Sequence, residues 1–207
     1  MTLRALAVAL LLPLLAGCAE PIYAPQTEVA ARAFRAPDAP KLTLITAINN
    51  RSGEGGHSAL MVSGSQRVLF DPAGTWRHPT VPEQGDLLYG ITPLMLDYYT
   101  DYHARPTFHV VMQEIAVTPA QAERALRLVQ AHGPANKATC GRSVSGILRE
   151  LGYDQVRRSW FPARIMRDFD AVPGVVRTEI YDDTVDESSP DRPAVRAITD
   201  DGFIREG

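Results

Sequence analysis

Apolar and polar positions change period several times along the chain, and each change marks an element. Residues 41–48 (Lys-Leu-Thr-Leu-Ile-Thr-Ala-Ile) are a β-branched, apolar run that predicts a strand. Residues 49–56 collect Asn, Ser and Gly and predict a loop. Its glycines remove side chains where a backbone or a ligand can come close. Residues 57–63 and 67–71 predict two short strands around Gly64-Ser65, a hairpin signal. If Ser63 pairs with Gln66, His57 lies opposite Pro72, and His57 and Asp71 share one end of the hairpin. A slip of one residue would move each side chain to the other face.

Residues 75–90 are irregular, broken by Pro79, Pro82 and Gly85, and their Trp76 and His78 are placed to cover a cleft. Thr92-Pro93 predicts a helix start, and the helix runs to about His103 with Tyr98, Tyr99 and Tyr102 on it. Residues 107–117 alternate cleanly. Phe108, Val110 and Met112 point one way; His109, Val111, Gln113, Ile115 and Val117 point the other. Thr118-Pro119-Ala120-Gln121 predicts a capping box, with a helix to about His132 that Gly133-Pro134 ends. Thr139 is an N-cap candidate, which places Cys140 in the first turn of the next helix. Cys140, Val144, Ile147, Leu148 and Leu151 recur at helical spacing, so the cysteine faces inward, and Gly152 suits the C-terminal end. Phe161-Pro162 opens a further short helix ending near Pro173-Gly174, and residues 175–181 predict a last strand. From Asp182 the chain is acidic and proline-bearing without periodicity, so residues 182–207 are expected to be a loose tail.

The length of 207 residues leaves room for one domain with a real core, over 41–181. A net charge of -3 gives no electrostatic case for a nucleic-acid partner. The N-terminus changes the picture more. Arg4 precedes an apolar run from Ala5 to Leu15, which is shorter than the ~20 residues a bilayer-spanning helix needs. Residues 1–17 therefore read as a signal peptide. Leu15-Ala16-Gly17-Cys18 resembles the lipobox of bacterial lipoproteins. That resemblance implies that Cys18 is lipidated and becomes the mature N-terminus, anchoring the protein in the cell envelope. Ala19 in place of Asp implies the outer membrane, facing the periplasm. Residues 18–40, with Pro21, Pro25, Pro37 and Pro40, are expected to be a tether. With Cys18 used by lipid, Cys140 has no disulfide partner in an oxidising compartment. Such a thiol either packs as a small inert residue or is kept for reactivity.

Cys140 in a first helical turn feels the positive end of the helix dipole, and free backbone N–H groups there can hold an oxyanion. A histidine in reach would take its proton, and a third polar group would fix the imidazole. His57 is the candidate base and Asp71 the third residue, with His109 as the rival for that place. The plainer readings are a packed cysteine, a strand-end histidine and a turn carboxylate. His78, His103 and His132 read as surface or loop histidines. The scattered histidines have no metal-ligand spacing, and there is no phosphate-binding glycine loop, Cys-x-x-Cys or His-Glu-x-x-His, so neither metal nor cofactor is expected.

Gly56-His57-Ser58-Ala59-Leu60, Val68-Leu69-Phe70-Asp71-Pro72-Ala73-Gly74 and Thr139-Cys140 with its helix occur in that order. This order resembles the circularly permuted papain-like proteins of the NlpC-type superfamily, in which histidine precedes cysteine. Many relatives carry Asn where this chain has Thr139. The resemblance covers about residues 41–152. It implies an α+β fold with a small antiparallel sheet packed against the cysteine-bearing helix. It implies His57 as base, Cys140 as nucleophile and Asp71 as their partner, acting on an amide, ester or thioester bond through a cysteine acyl-enzyme. Peptidoglycan peptides come first as substrate, because a lipid anchor sets the domain facing the wall; lipid or protein acyl groups come second. The alternative is a non-catalytic envelope lipoprotein that binds a peptide or protein partner on the same scaffold.

Overall fold

The computed structural model describes residues 21–182 and two dipeptide strands, 197–198 and 204–205. The expected signal peptide, the lipidated Cys18 and most of the acidic tail lie outside the described residues. The described helices are α1 (Gln26–Arg32), α2 (Pro93–His103), α3 (Pro119–His132), α4 (Cys140–Glu150) and α5 (Pro162–Asp170). The strands are β1 (Lys41–Asn49), β2 (Gly55–Ser63), β3 (Arg67–Phe70), β4 (Glu83–Gln84), β5 (Leu87–Tyr89), β6 (Phe108–Ala116), β7 (Val176–Ile180), β8 (Ala197–Ile198) and β9 (Ile204–Arg205). The fold is α+β. Seven strands form one antiparallel sheet in the order β4-β5-β3-β2-β1-β6-β7, and β8 pairs with β9 separately.

β1 is an inner strand covered on both sides, which is why its sequence is a continuous run of apolar residues and threonines. Leu42 and Leu44 pack with Leu60, Val62, Val68 and Phe70 beneath α3, α4 and α5. Ile45 packs on the opposite face with Ala59, Met61, Leu69 and the α2 residues Met95, Leu96 and Tyr99. α4 presents Val144, Ile147 and Leu148 to the first of these clusters, all buried. At about 1.5–3 kcal/mol for each fully buried aliphatic side chain, that stripe fixes the helix on β2 and with it the position of Cys140. The α3 capping box forms as expected, with Thr118 Oγ1 accepting from Gln121 N at 3.2 Å and Thr118 N donating to Gln121 Oε1 at 2.9 Å.

The described part of the expected tether does not hang free. Ala24 N donates to Glu83 O at 2.8 Å, Arg67 N donates to Phe34 O at 2.6 Å, and Val117 N donates to Pro40 O at 2.9 Å. α1 buries Val29 in the core beside Leu87 and Tyr89. The prolines that suggested a linker instead frame a short helix, with Pro25 at its N-cap. The reason is amphipathic: one apolar side chain, Val29, finds a hole at the sheet margin.

Val29→Ala should therefore lower the unfolding free energy by about 1.5 kcal/mol in a denaturant melt, two buried methyl equivalents at about 0.8 kcal/mol each. A change within about 0.5 kcal/mol, as for a surface position, would restore the tether assignment.

Candidate active site

β2 and β3 pair as Ser63↔Arg67 and Leu60↔Phe70, one residue away from the expected Ser63–Gln66 pairing. The turn therefore holds Gly64, Ser65 and Gln66, with Gly64 N donating to Gln66 O at 3.1 Å. Glu123 of α3 anchors it, accepting from Ser65 N at 2.7 Å and Ser65 Oγ at 3.1 Å. This register matters to the site. Continued one step, it sets Asp71 opposite Ala59, on the same face of β2 as His57. The expected pairing would have set Asp71 opposite Ser58, on the other face. A β-bulge then breaks the β1–β2 ladder, because Ala47 pairs with His57 but Ile48 pairs with Gly55. Gly56 is the extra residue, and the Phe108 ring lies 2.9 Å from where its Cβ would be.

His57 Nε2 and Asp71 Oδ1 are 2.6 Å apart. Tyr99 donates its hydroxyl to the same oxygen at 2.7 Å. The second nitrogen of His57 is thus left for Cys140, and the two side chains lie close enough to act on each other's protonation. The backbone N–H groups of Ser58 and Gly141 lie near enough to the sulfur to favour its anionic form. The three residues of the expected constellation come from β2, the loop after β3, and the first turn of α4. Cys140 is the free cysteine among the described residues and is buried.

Burial works against charge on His57, but the hydrogen bonds to Asp71 and Cys140, with the charges of both, raise its pKa from 6.5 to about 10. Burial likewise pushes the Asp71 carboxyl up, and its bond to His57 overrides that and holds it below the usual carboxylate range. Burial raises the Cys140 thiol, while His57 and the two backbone N–H groups lower it further, to a net fall. The shifts all act in the direction of an imidazolium between a carboxylate and a thiolate.

Thr139 sits at the N-cap of α4, but its side chain does not cap the helix. Its hydroxyl donates instead to Asn136 O at 2.7 Å. The first-turn amides of α4 are therefore not taken by a capping side chain, and they flank the sulfur where an oxyanion would form.

Two loops must be held for these parts to meet, and Asp86 holds both. Its backbone carbonyl accepts from Asp71 N at 2.8 Å. Its carboxylate accepts from Ala73 N at 2.8 Å and from Ala135 N at 2.7 Å, tying the Asp71 loop to the segment that leads into α4. Among the described residues, the non-glycine positions with positive φ are Ala73 (58°) and Ala138 (61°), each two residues from a member of the constellation. Backbone strain concentrated there fits loops shaped for a site. Gly141 is required by close approach, since a Cβ on it would lie 2.6 Å from Trp160 O. Ser145, one turn on, accepts from Ser159 N at 3.1 Å and donates to Gly141 O at 2.7 Å.

His109, the rival third residue, is elsewhere: its Nδ1 lies 2.7 Å from Asn50 Oδ1 and its ring stacks on Tyr181. His78 and His132 make local contacts, to Thr80 Oγ1 and Gly133 O. His103 departs from its surface assignment. Its ring stacks on His57 with centroids 5.5 Å apart and 11° between planes, and its Nδ1 donates to Tyr99 O at 2.9 Å. Burial lowers its pKa, and the charge on His57 adds to that, so it is a neutral wall beside the imidazolium. Tyr99 and His103 are four residues apart on α2, and that spacing was the available signal for their shared face. Asp86 had no such signal. No group of three or more His, Cys, Asp or Glu side chains among the described residues is arranged to hold a metal.

Asp71 Oδ2 is buried without a hydrogen-bond partner among the described residues, and a Cβ on Gly74 would fall 1.8 Å from it. Gly74→Ala should thus displace the carboxylate. We expect a loss of about 1–3 kcal/mol of stability by overpacking and a lower His57 pKa by NMR titration. An unchanged His57 titration would contradict this placement.

Comparison of the chain with family models, with curated proteins and with solved structures finds no match in any of the three.

Proposed function

We propose that this chain is a cell-envelope lipoprotein that acts as a cysteine-dependent hydrolase or acyltransferase on an amide, ester or thioester bond, with a peptidoglycan peptide as the first substrate class. One observation carries the reading: His57 lies between the Asp71 carboxylate, at 2.6 Å, and the Cys140 thiol at an uncapped helix N-terminus. The order of His57, Asp71 and Thr139-Cys140 in the chain, which resembles the permuted papain-like proteins, supports it. The lipobox at Cys18 supports the envelope location.

In this reading the Cys140 thiolate attacks the substrate carbonyl carbon. The carbonyl electron pair moves to oxygen, which the first-turn amides of α4 stabilise. Collapse breaks the bond to the leaving group, and that group takes its proton from the His57 imidazolium. The acyl group is left on sulfur as a thioester. His57, now neutral, removes a proton from water or from an acceptor nucleophile, which attacks the thioester. The products are the free acid or the transferred acyl group, with thiolate and imidazolium restored. Asp71 holds the imidazole in orientation throughout, and Tyr99 holds Asp71.

The test is turnover of purified muropeptides and of acyl esters. Cys140→Ala should abolish it, and Asp71→Asn should lower kcat by about 10²–10⁴. The sign of the pH dependence follows from the shifts. Activity should rise as Cys140 deprotonates below its ordinary range, and fall as His57 loses its proton near pH 10. Activity that survives Cys140→Ala would sink the reading.

A further inference from the structure

A groove of about 470 Å³ runs along the outer side of α4 and is lined by Asn136, Thr139, Arg142, Arg158 and Trp160, with Glu150 further along. Its volume is within the range of small-ligand sites. Thr139 and Arg142, on either side of Cys140–Gly141 in the chain, both line the groove, so one end of it lies at the first turn of α4, although the inward-facing Cys140 is not itself a lining residue. The segment that supplies Arg158 and Trp160 is not loose, because Ser159 between them is bonded to Ser145.

The charges in the groove are asymmetric. Among the described residues, neither Arg142 nor Arg158 is in an ion pair with a carboxylate. The Arg142 guanidinium lies over the Trp160 ring, 4.9 Å from its centroid, which pre-orders both while leaving the guanidinium N–H edge for a ligand. Glu150 is eight residues beyond Arg142, about 12 Å along the helix. Arg142 is therefore at the end of the groove by the first turn of α4, away from Glu150. Trp160 is 51 % exposed, a large apolar face open to solvent beside Arg142.

We propose that this groove, which opens at the first turn of α4, is a substrate subsite and that it selects a peptide chain bearing a free carboxylate. Arg142 and Arg158 hold the carboxylate, and the Trp160 ring packs on the apolar stem. The proposal rests on the cysteine-hydrolase reading for its role in turnover, but the ligand chemistry is set by the groove itself.

Trp160 supplies the readout. The chain has two tryptophans, and Trp76 is buried at 4 % exposure, so a ligand in the groove perturbs mainly Trp160. Full-length protein in detergent, carrying Cys140→Ala, is titrated with acetyl-Ala-Glu and with its uncharged counterpart acetyl-Ala-Gln amide. We expect a saturable emission change with the acidic dipeptide, absent in Trp160→Phe, and affinity about tenfold lower for the uncharged one. Arg142→Gln and Arg158→Gln should each cost about tenfold, the worth of one charge-assisted hydrogen bond. Equal binding of the two dipeptides, no change at Trp160, or indifference to both arginine substitutions overturns the proposal. A response to vesicles of anionic phospholipid with none to the dipeptide also overturns it, in favour of a membrane-facing surface. Carboxylate binding in a protein whose intact Cys140 behaves as an ordinary thiol would sink the hydrolase reading alone. A reactive thiol without carboxylate preference would sink the groove alone.

Discussion

A carboxylate taken out of water must be paired with a cation and hydrogen-bonded, or it will take up a proton. Asp71 is that carboxylate here, and the surrounding structure is arranged around it. His57 and Tyr99 converge on one of its oxygens, and the other rests against Gly74, where no side chain fits. The pairing charges His57, the charged imidazole lowers the Cys140 thiol, and the thiol is held at the end of a helix whose own apolar stripe fixes it to β2. Removing the carboxylate would remove the reason for a charged histidine, and with it the thiolate.

The arrangement is costly to fold, and the cost is met at a distance. Two alanines adopt positive φ, one beside Asp71 and one before Cys140. The loops that contain them are bound together by a single side chain, Asp86, from the β4–β5 turn. The sheet that carries these loops has its central strands buried on both faces. A rigid two-sided core is what lets a strained pair of loops persist.

Much of the fold was legible from period and punctuation. β1, β6, α3 and α4 follow from apolar runs, alternation, a capping box and helical spacing. The pair His57 and Cys140, with Asp71, was legible because a glycine-rich loop, a strand end and a helix start are local signals. The register of the β2–β3 hairpin was not. The three-residue turn is held by Glu123, 58 residues along the chain, and its register sets Asp71 on the same face as His57. The docking of α1 was hidden for a similar reason: its prolines resemble a linker, and only the hole that receives Val29 contradicts that. His103 and Asp86 were missed because their roles exist only between elements distant in sequence.

Whether Cys140 and His57 form a thiolate–imidazolium pair is read by the pH dependence of iodoacetamide labelling at Cys140. With Cys18→Ser, Cys140 is the one thiol in the chain. Such a pair requires labelling with an apparent pKa well below the ordinary thiol value of about 8.5, and a rise in that pKa when His57→Ala removes the partner. A thiol that labels only at alkaline pH, or is indifferent to His57, would mean that no such pair forms.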